Sequence, residues 1–376
     1  MEGSLLIMPK KNKVAQITLL VHSQIAVFEW GKVIIDLFAA QAYKNVFKLN
    51  TVFDLSEVTD FNSPVMVLGV DSVWLDSVLE ELNSKKCRTI LFYGTAHKNY
   101  EYVSHISSDQ GVSTKKAIQL LSERGRMCPA LFGIQKNDTS DQIKANVFSE
   151  HFPVQDVYCV ESGISECFDR FFSNLGKYDS VICANDVMAI YLISRFRELG
   201  MDIMDKLYLV GNGNLWLGAH VTPSITTFCS NSCATVQMAL QICSILREFD
   251  DLDTIDASIS TQLIPRESTA DACNQECADS LSAQARNAYV EPRDKLLCSE
   301  LWEIVTLDRK LSACSKDQLS VLSAWISGAS IDKIAESLYI SDNTVRYHLK
   351  TLYRLLKIHS KSELLQIANK YGLTLS

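Results

Sequence analysis

Along the last 66 residues, apolar side chains recur at the three- and four-residue steps of amphipathic helices. Leu319, Leu322 and Ile326 share one helical face, and Ile334, Ala335 and Leu338 share another. Val345, Leu349, Leu352 and Leu356 run down a third at steps of four, three and four; Leu364, Leu365, Ala368 and Tyr371 form a fourth. Polar caps separate these sets. Ser315-Lys316-Asp317-Gln318 and Ser360-Lys361-Ser362-Glu363 are capping boxes, in which Ser accepts from the third helical N–H and Gln or Glu reaches back. Ser330 and Ser341 are N-caps for the two middle helices, with Asp332 and Asp342 in their positive first turns. Gly328 fits the left-handed stop after the first helix. Only a three- to four-residue turn parts the middle helices, and Ala335 is small where they would cross. The pattern predicts a helix-turn-helix whose second helix can lie in a DNA major groove.

Upstream the period changes. Strand-like apolar runs at 14–21, 64–70, 89–93, 130–134, 157–160, 181–183, 207–210, 225–228 and 258–264 alternate with helical patterns. Those patterns fall at 26–41, 74–82, 111–124, 141–150, 166–175, 187–199 and 233–249. Alternation on this scale implies parallel sheets flanked by helices. About 255 residues with a restart near residue 128 suggest two lobes. Ligands of such sheets sit beyond the carboxyl ends of strands, which in a two-lobed protein places them in the cleft.

Charge sharpens the division. From Leu311 to the end, eight Lys/Arg face five Asp/Glu, a net of +3 that leaves −11 on the rest of a chain of −8. Arg346, Tyr347, Lys350 and Arg354 form the outward face of the third helix, and Arg and Lys can read guanine edges or neutralise phosphates. A basic module on an acidic chain is the charge layout of a protein that meets double-stranded DNA through one part only. A generic helical bundle with a solvated basic face is the alternative; the agreement of caps, turn length and outward residues argues against it. His348 is read as a packing residue.

This tail resembles the LuxR-type (GerE-like) helix-turn-helix, through Ile334-Ala335, Leu338, Ile340-Ser341, Thr344-Val345 and His348. The resemblance implies that Arg346, Tyr347 and Lys350 reach bases, with Ser341, Thr344 and Arg354 completing the DNA-facing set. It also implies that Leu364, Leu365, Ala368 and Tyr371 of the fourth helix make a dimer contact, hence a homodimer. The opening departs from the family's Leu-Thr-x-Arg-Glu: here Cys314-Ser315-Lys316-Asp317-Gln318 removes an Arg–Glu pair but keeps the cap.

Tyr178-Asp179-Ser180-Val181-Ile182-Cys183-Ala184-Asn185-Asp186-Val187-Met188-Ala189 resembles the Asn-Asp-x-x-Ala strand–helix junction of the LacI/GalR-type sensor domain. Arg197-Glu198-Leu199-Gly200 before Leu209-Val210-Gly211, then Pro223-Ser224-Ile225-Thr226-Thr227 and Leu263-Ile264-Pro265-Arg266-Glu267-Ser268-Thr269, extend the likeness. It implies a two-lobed α/β sensor of the periplasmic-binding-protein-like type I fold, followed by the small all-α four-helix domain. The family's own N-terminal DNA-binding domain is absent. A small-molecule effector would lie between the lobes. By position, Asp186 would accept from ligand hydroxyls, Lys144 stands for a ligand-binding Arg, and Ser23 and Phe28 offer a polar group and an aromatic platform. Gly211-Asn212-Gly213 replaces Gly-Phe-Asp, so the usual polyol-binding carboxylate is missing at Gly213, Asn212 is the ligand-binding candidate of this stretch, and Lys144 lacks the planar fork of Arg. A simple sugar is accordingly disfavoured. Asp186 as a helix N-cap, and Phe28 and Trp30 as core residues, remain open readings.

The resulting layout is a tail at 1–13, a sensor at 14–269, a partly helical linker at 270–310 and the DNA-binding domain at 311–376. Within the sensor, lobe 1 takes about 14–125 and 229–256, and lobe 2 about 126–228 and 257–269. The linker's Leu296, Leu297, Leu301, Ile304, Val305 and Leu307 read as a packed coupling or dimerising element rather than a tether. Asp250 to Asp253 read as a solvated helix end. No run approaches a membrane span and no signal peptide is recognisable, so a cytoplasmic protein is expected. The twelve cysteines read mostly as reduced, buried small side chains. Cys229/Cys233 and Cys273/Cys277 lack zinc-finger spacing and nearby His, so no metal or cofactor is expected; the second pair is the better redox candidate. No P-loop, Gly-x-Ser-x-Gly or His-Glu-x-x-His occurs, which argues against an enzyme. Val21-His22-Ser23 offers no acidic pair for a phosphorylated receiver. The expectation is a ligand-controlled transcriptional regulator; the alternative is a regulator whose sensor-like domain serves dimerisation or protein docking without a ligand.

Overall fold

The computed structural model describes residues 15–23, 25, 29–44, 47–69, 72–92, 98–108, 110–136, 138–270 and 299–375. The N-terminal tail, Phe28, most of the linker with Leu296 and Leu297, and the Cys273/Cys277 pair lie outside the described residues. The chain divides into two compact units. The first is Met1–Ser108 with Asn231–Ile259; the second is Asp109–Ser230 with Ser260–Ser376.

The first unit is built on β1 (Ala15–Val21), β2 (Phe47–Val52), β3 (Val65–Leu68), β4 (Thr89–Phe92) and β5 (Val103–Ser108), with helices α1 (Glu29–Lys44) and α2 (Ser72–Ser84) between them. β3 and β4 are buried at every position, as strands covered on both faces must be. β2 and β5 are absent from the apolar pattern because they are mixed strands: Phe47–Val52 is only half-buried along most of its length, and β5 reads Val-Ser-His-Ile-Ser-Ser. Ser104 in β5 is buried because its hydroxyl accepts the Ile255 N–H at 2.9 Å.

The second unit begins with α3 (Gln110–Glu123), not near residue 126. Ala117 and Leu121 bury into the second core, and Arg124 donates to the Thr269 carbonyl. There follow β6 (Pro129–Ile134), α4 (Thr139–Ser149), β7 (Val157–Cys159), α5 (Ile164–Phe172), β8 (Ser180–Cys183), α6 (Asp186–Glu198), β9 (Tyr208–Asn212) and β10 (Thr226–Cys229). Helix α7 (Ser232–Glu248) and β11 (Ala257–Ile259) return to the first unit, completing the parallel order β11-β5-β4-β3-β1-β2. The run at 258–264 is therefore two strands. β12 (Gln262–Ile264) joins the second sheet antiparallel to β10, in the order β12-β10-β9-β8-β6-β7.

After the undescribed stretch come α8 (Ser299–Ser312), α9 (Lys316–Ile326), α10 (Ile331–Leu338), α11 (Asp342–Leu356) and α12 (Lys361–Tyr371). They are not a separate body. Leu301, Ile304, Leu307 and Leu311 of α8, with Leu364, Ala368 and Tyr371 of α12, belong to the same buried cluster as β8 and α6. Val221 and Leu373 form an antiparallel bridge, flanked by Thr222 N–H to the Gly372 carbonyl and Thr374 N–H to the His220 carbonyl, both 2.8 Å. Gly372, at φ +60°, ends α12 there; a Cβ would lie 2.4 Å from an Arg197 nitrogen.

A shared core makes a linked prediction. Ile304→Ala should cost about 2–5 kcal/mol and lower hydrogen-exchange protection in α6 and α11 together. Protection lost in α11 alone would contradict the shared core.

Candidate nucleic-acid interface

Helices α9 to α11 form as their caps dictate. Ser315 and Gln318 close the reciprocal box, with N–H to oxygen distances of 3.2 and 2.9 Å. The Ser330 and Ser341 hydroxyls accept from Lys333 N–H and Thr344 N–H. At α12 the box is modified: the Ser360 hydroxyl accepts from Glu363 N–H, but the Glu363 carboxylate takes the N–H of His359 rather than of the cap. Gly328, at φ +89°, follows α9 as expected. Two left-handed stops carry no glycine signal: Tyr339 ends α10 at φ +56° and Lys357 ends α11 at φ +60°.

The turn between α10 and α11 is Tyr339-Ile340-Ser341. Val321, Ile334, Ala335, Val345 and Leu349 pack beneath it as a small core. On the far side Trp325 donates to the Tyr353 hydroxyl at 3.0 Å, and the Lys361 ammonium sits 3.8 Å from the Trp325 ring centre. This clamps α11, leaving Arg346, Tyr347, Lys350 and Arg354 exposed on its outer side. Tyr347 is 66% exposed and Tyr339 is 96% exposed, unusual for tyrosine in a packed domain. Ser341 is exposed at the helix start; Thr344 is half-buried, its hydroxyl 2.9 Å from that of Ser341. His348 is half-buried against the packed side. Among the described residues no ion pair occupies Arg346, Lys350 or Arg354.

The four residues of the expected dimer contact lie elsewhere than on a free face. Leu364, Ala368 and Tyr371 are buried, in the cluster shared with α6, and Leu365 is half-buried. Lys370 pairs with Glu303 of α8 at 2.9 Å. α8 is also held by a buried carboxylate: Asp308 accepts the Leu217 N–H at 2.6 Å.

The sensor candidates fall into two groups. Asp186 is fully buried; its oxygens accept the Thr227 hydroxyl at 2.7 Å and the Leu215 N–H at 2.8 Å. The N-cap of α6 is its neighbour Asn185, which corrects the capping alternative for Asp186. A Cβ at Gly211 would lie 2.1 Å from an Asp186 oxygen, so glycine there makes room for the carboxylate. Lys144 is also buried, bonded to Asp141 at 2.9 Å and to the Ala184 carbonyl at 2.8 Å. Both side chains are engaged in holding their own unit together. Asn212, at the carboxyl end of β9, is half-buried and donates to Gln110 at 2.9 Å; Ser23, just past β1, is exposed. Sequence reasoning missed Asp308 entirely, since one acid in an amphipathic helix resembles a solvated residue.

Burial raises the carboxyl of Asp308 to about 7 and that of Asp186 to about 6. The unfolded value is about 3.9, so between these limits the folded chain holds protons that the unfolded chain has released. The stability those protons contribute is full below about pH 4 and is lost as pH rises through about 6 and about 7. Asp308→Asn should therefore flatten the decline. Its melting temperature relative to the parent chain should climb between pH 5 and 8; a difference independent of pH would show that Asp308 does not titrate in this range.

Residues 312–368 match the model of the bacterial regulatory proteins of the luxR family, and residues 149–269 match that of the periplasmic binding protein-like domain. Over 59 residues, 16% of this chain and 18% of the relative, the sequence is 34% identical to the HTH-type transcriptional repressor PurR of Vibrio vulnificus (strain CMCP6). Over 62 residues, 16% and 19%, it is 29% identical to PurR of Photobacterium profundum. The chain thus spans about a fifth of the length of these curated relatives. Among solved structures, the transcriptional regulator CelR–cellobiose complex aligns with a TM-score of 0.56 at 14% identity, covering 69% of this chain and 86% of that one. A LacI family transcriptional regulator from Enterococcus faecalis V583, with bound ribose, aligns at 0.53 and 18%, covering 68% and 98%. At such identities the likeness is one of fold. The chain therefore carries a luxR-family DNA-binding domain at its carboxyl end, behind a periplasmic-binding-protein-like domain with the two-sheet fold of LacI-family regulators.

Proposed function

We propose that this protein is a DNA-binding transcriptional regulator that reads double-stranded DNA with α11, and that a small molecule taken up by its periplasmic-binding-protein-like domain controls it. The observation that carries the reading is the outer side of α11. Three cations and a tyrosine stand exposed and unpaired by acids among the described residues, on a helix capped at Ser341 and clamped from behind. Cations left free on a chain of net charge −8 fit a polyanion.

Support for a small molecule comes from the fold and from relatives that hold cellobiose or ribose. Asp186 and Lys144 are bonded within their own unit rather than offered to a ligand, which disfavours a simple sugar held through them. The same internal bonds favour, as a second reading, a domain used for dimerisation or protein docking. In a homodimer the partner would meet a surface other than the buried residues of α12.

The test has two arms. Arg346→Ala and Lys350→Ala should each cost about 1–3 kcal/mol of DNA affinity and relax preference at one base position, read on a site selected from random duplexes. No loss for either variant would remove α11 from the interface. For control, a metabolite that raises the melting temperature should also shift DNA affinity; one that stabilises the protein and leaves DNA affinity unchanged would leave the docking reading standing instead.

A further inference from the structure

The cationic face does not stop where α11 does. Arg346, Lys350 and Arg354 follow one another at four-residue steps, and Lys357 comes three residues later. At 100° per residue the first three lie within an arc of about 80°, along about 12 Å of axis. Lys357 is the exposed left-handed residue that ends the helix. Against this end packs the last turn of α8. There Lys310 donates its ammonium to the Leu356 carbonyl at 3.3 Å, and Arg309 stands exposed.

These cations are crowded. Partial burial lowers the pKa of Lys310, and Lys357 and Arg309 lower it further. Among the described residues no ion pair relieves any of the three. Like charges gathered without acids repel one another, a cost that neutralisation by a polyanion removes. Arg309 and Lys310 also precede residue 312, where the luxR-family match begins. The patch thus extends past the matched segment onto a helix of this chain's own.

We propose that Arg309, Lys310 and Lys357 form a second DNA contact, holding the phosphate backbone beside the groove that α11 enters. The inference rests on the DNA-binding reading above. Contacts to phosphate position a protein without reading sequence. Each such cation should add about 0.9 to the slope of log affinity against log salt.

The experiment compares the full chain with Arg309→Gln/Lys357→Gln and with Arg309→Gln/Lys310→Gln/Lys357→Gln. Affinity is measured from low to moderate salt, on the selected site and on an unrelated duplex. The salt slope should fall by about 2 in the double variant and about 3 in the triple, with affinity lost equally on both duplexes. Since Lys310 also holds Leu356, the double variant decides the matter if the triple melts early. An unchanged slope in the double variant, with a parent chain whose site preference still depends on Arg346, overturns this contact alone. A parent chain that binds no duplex overturns both readings.

Discussion

The burial of α6 from two sides seats the carboxyl-terminal helices on the second sheet. One side of this helix packs on the second sheet, as in any parallel α/β layer. The other is covered by α8 and α12, so that every residue from Asp186 to Ser194 is buried. A fully buried large aliphatic side chain contributes about 1.5–3 kcal/mol. Leu301, Ile304, Leu307 and Leu311 of α8 are all buried, and together they amount to roughly 6–12 kcal/mol before ordering costs. That is comparable with the ~5–15 kcal/mol by which a whole domain is stable. Releasing the helix-turn-helix from this seat would ask much of an effector, since moving a two-state balance from 1:99 to 99:1 takes only about 5.5 kcal/mol of differential binding. Under the proposed control by an effector, a signal transmitted with the contact intact is the less costly route.

Polar groups inside the seat tie the segment after β9 to α6 and α8. The segment after β9 is held by two buried carboxylates: Asp186 of α6 takes the Leu215 N–H, and Asp308 of α8 takes the Leu217 N–H. Asn212, the last residue of β9, begins the same segment. Five residues thus join the carboxyl end of a sensor strand to the helix that carries the reading head. Arg266 steadies the middle, donating to the Asn214 side chain at 2.6 Å. Unpaired buried carboxylates are costly, so a shift of this segment would have to carry α8 with it or leave Asp308 without its donor.

Much of this was legible in the chain. Caps at Ser315, Ser330, Ser341 and Ser360 and the apolar steps between them define helices within a residue or two of those observed, because capping is local chemistry. The strand–helix alternation gave both sheets except β2 and β5, whose polar positions are satisfied by partners distant in sequence, such as Ile255 for Ser104. The docking of α12 on α6 was not legible, for its apolar stripe says only that a partner exists, not whether it belongs to another copy. A signal was present in α6: Val187 to Ile193 is seven consecutive apolar residues, and a helix apolar all round is covered all round. Asp186 shows the limit of positional reasoning. Its carboxylate points at Thr227 and Leu215, and only the absence of a side chain at Gly211 hinted that something needed the space.

The most direct test is backbone nitrogen relaxation of the whole protein in solution. Amides of α11 and of β8 should report one rotational correlation time, because a continuous core ties them into one body. If the amides of α9 to α12 instead tumble faster than those of β8, as a small domain on a tether would, the account of a reading head seated on the sensor is wrong.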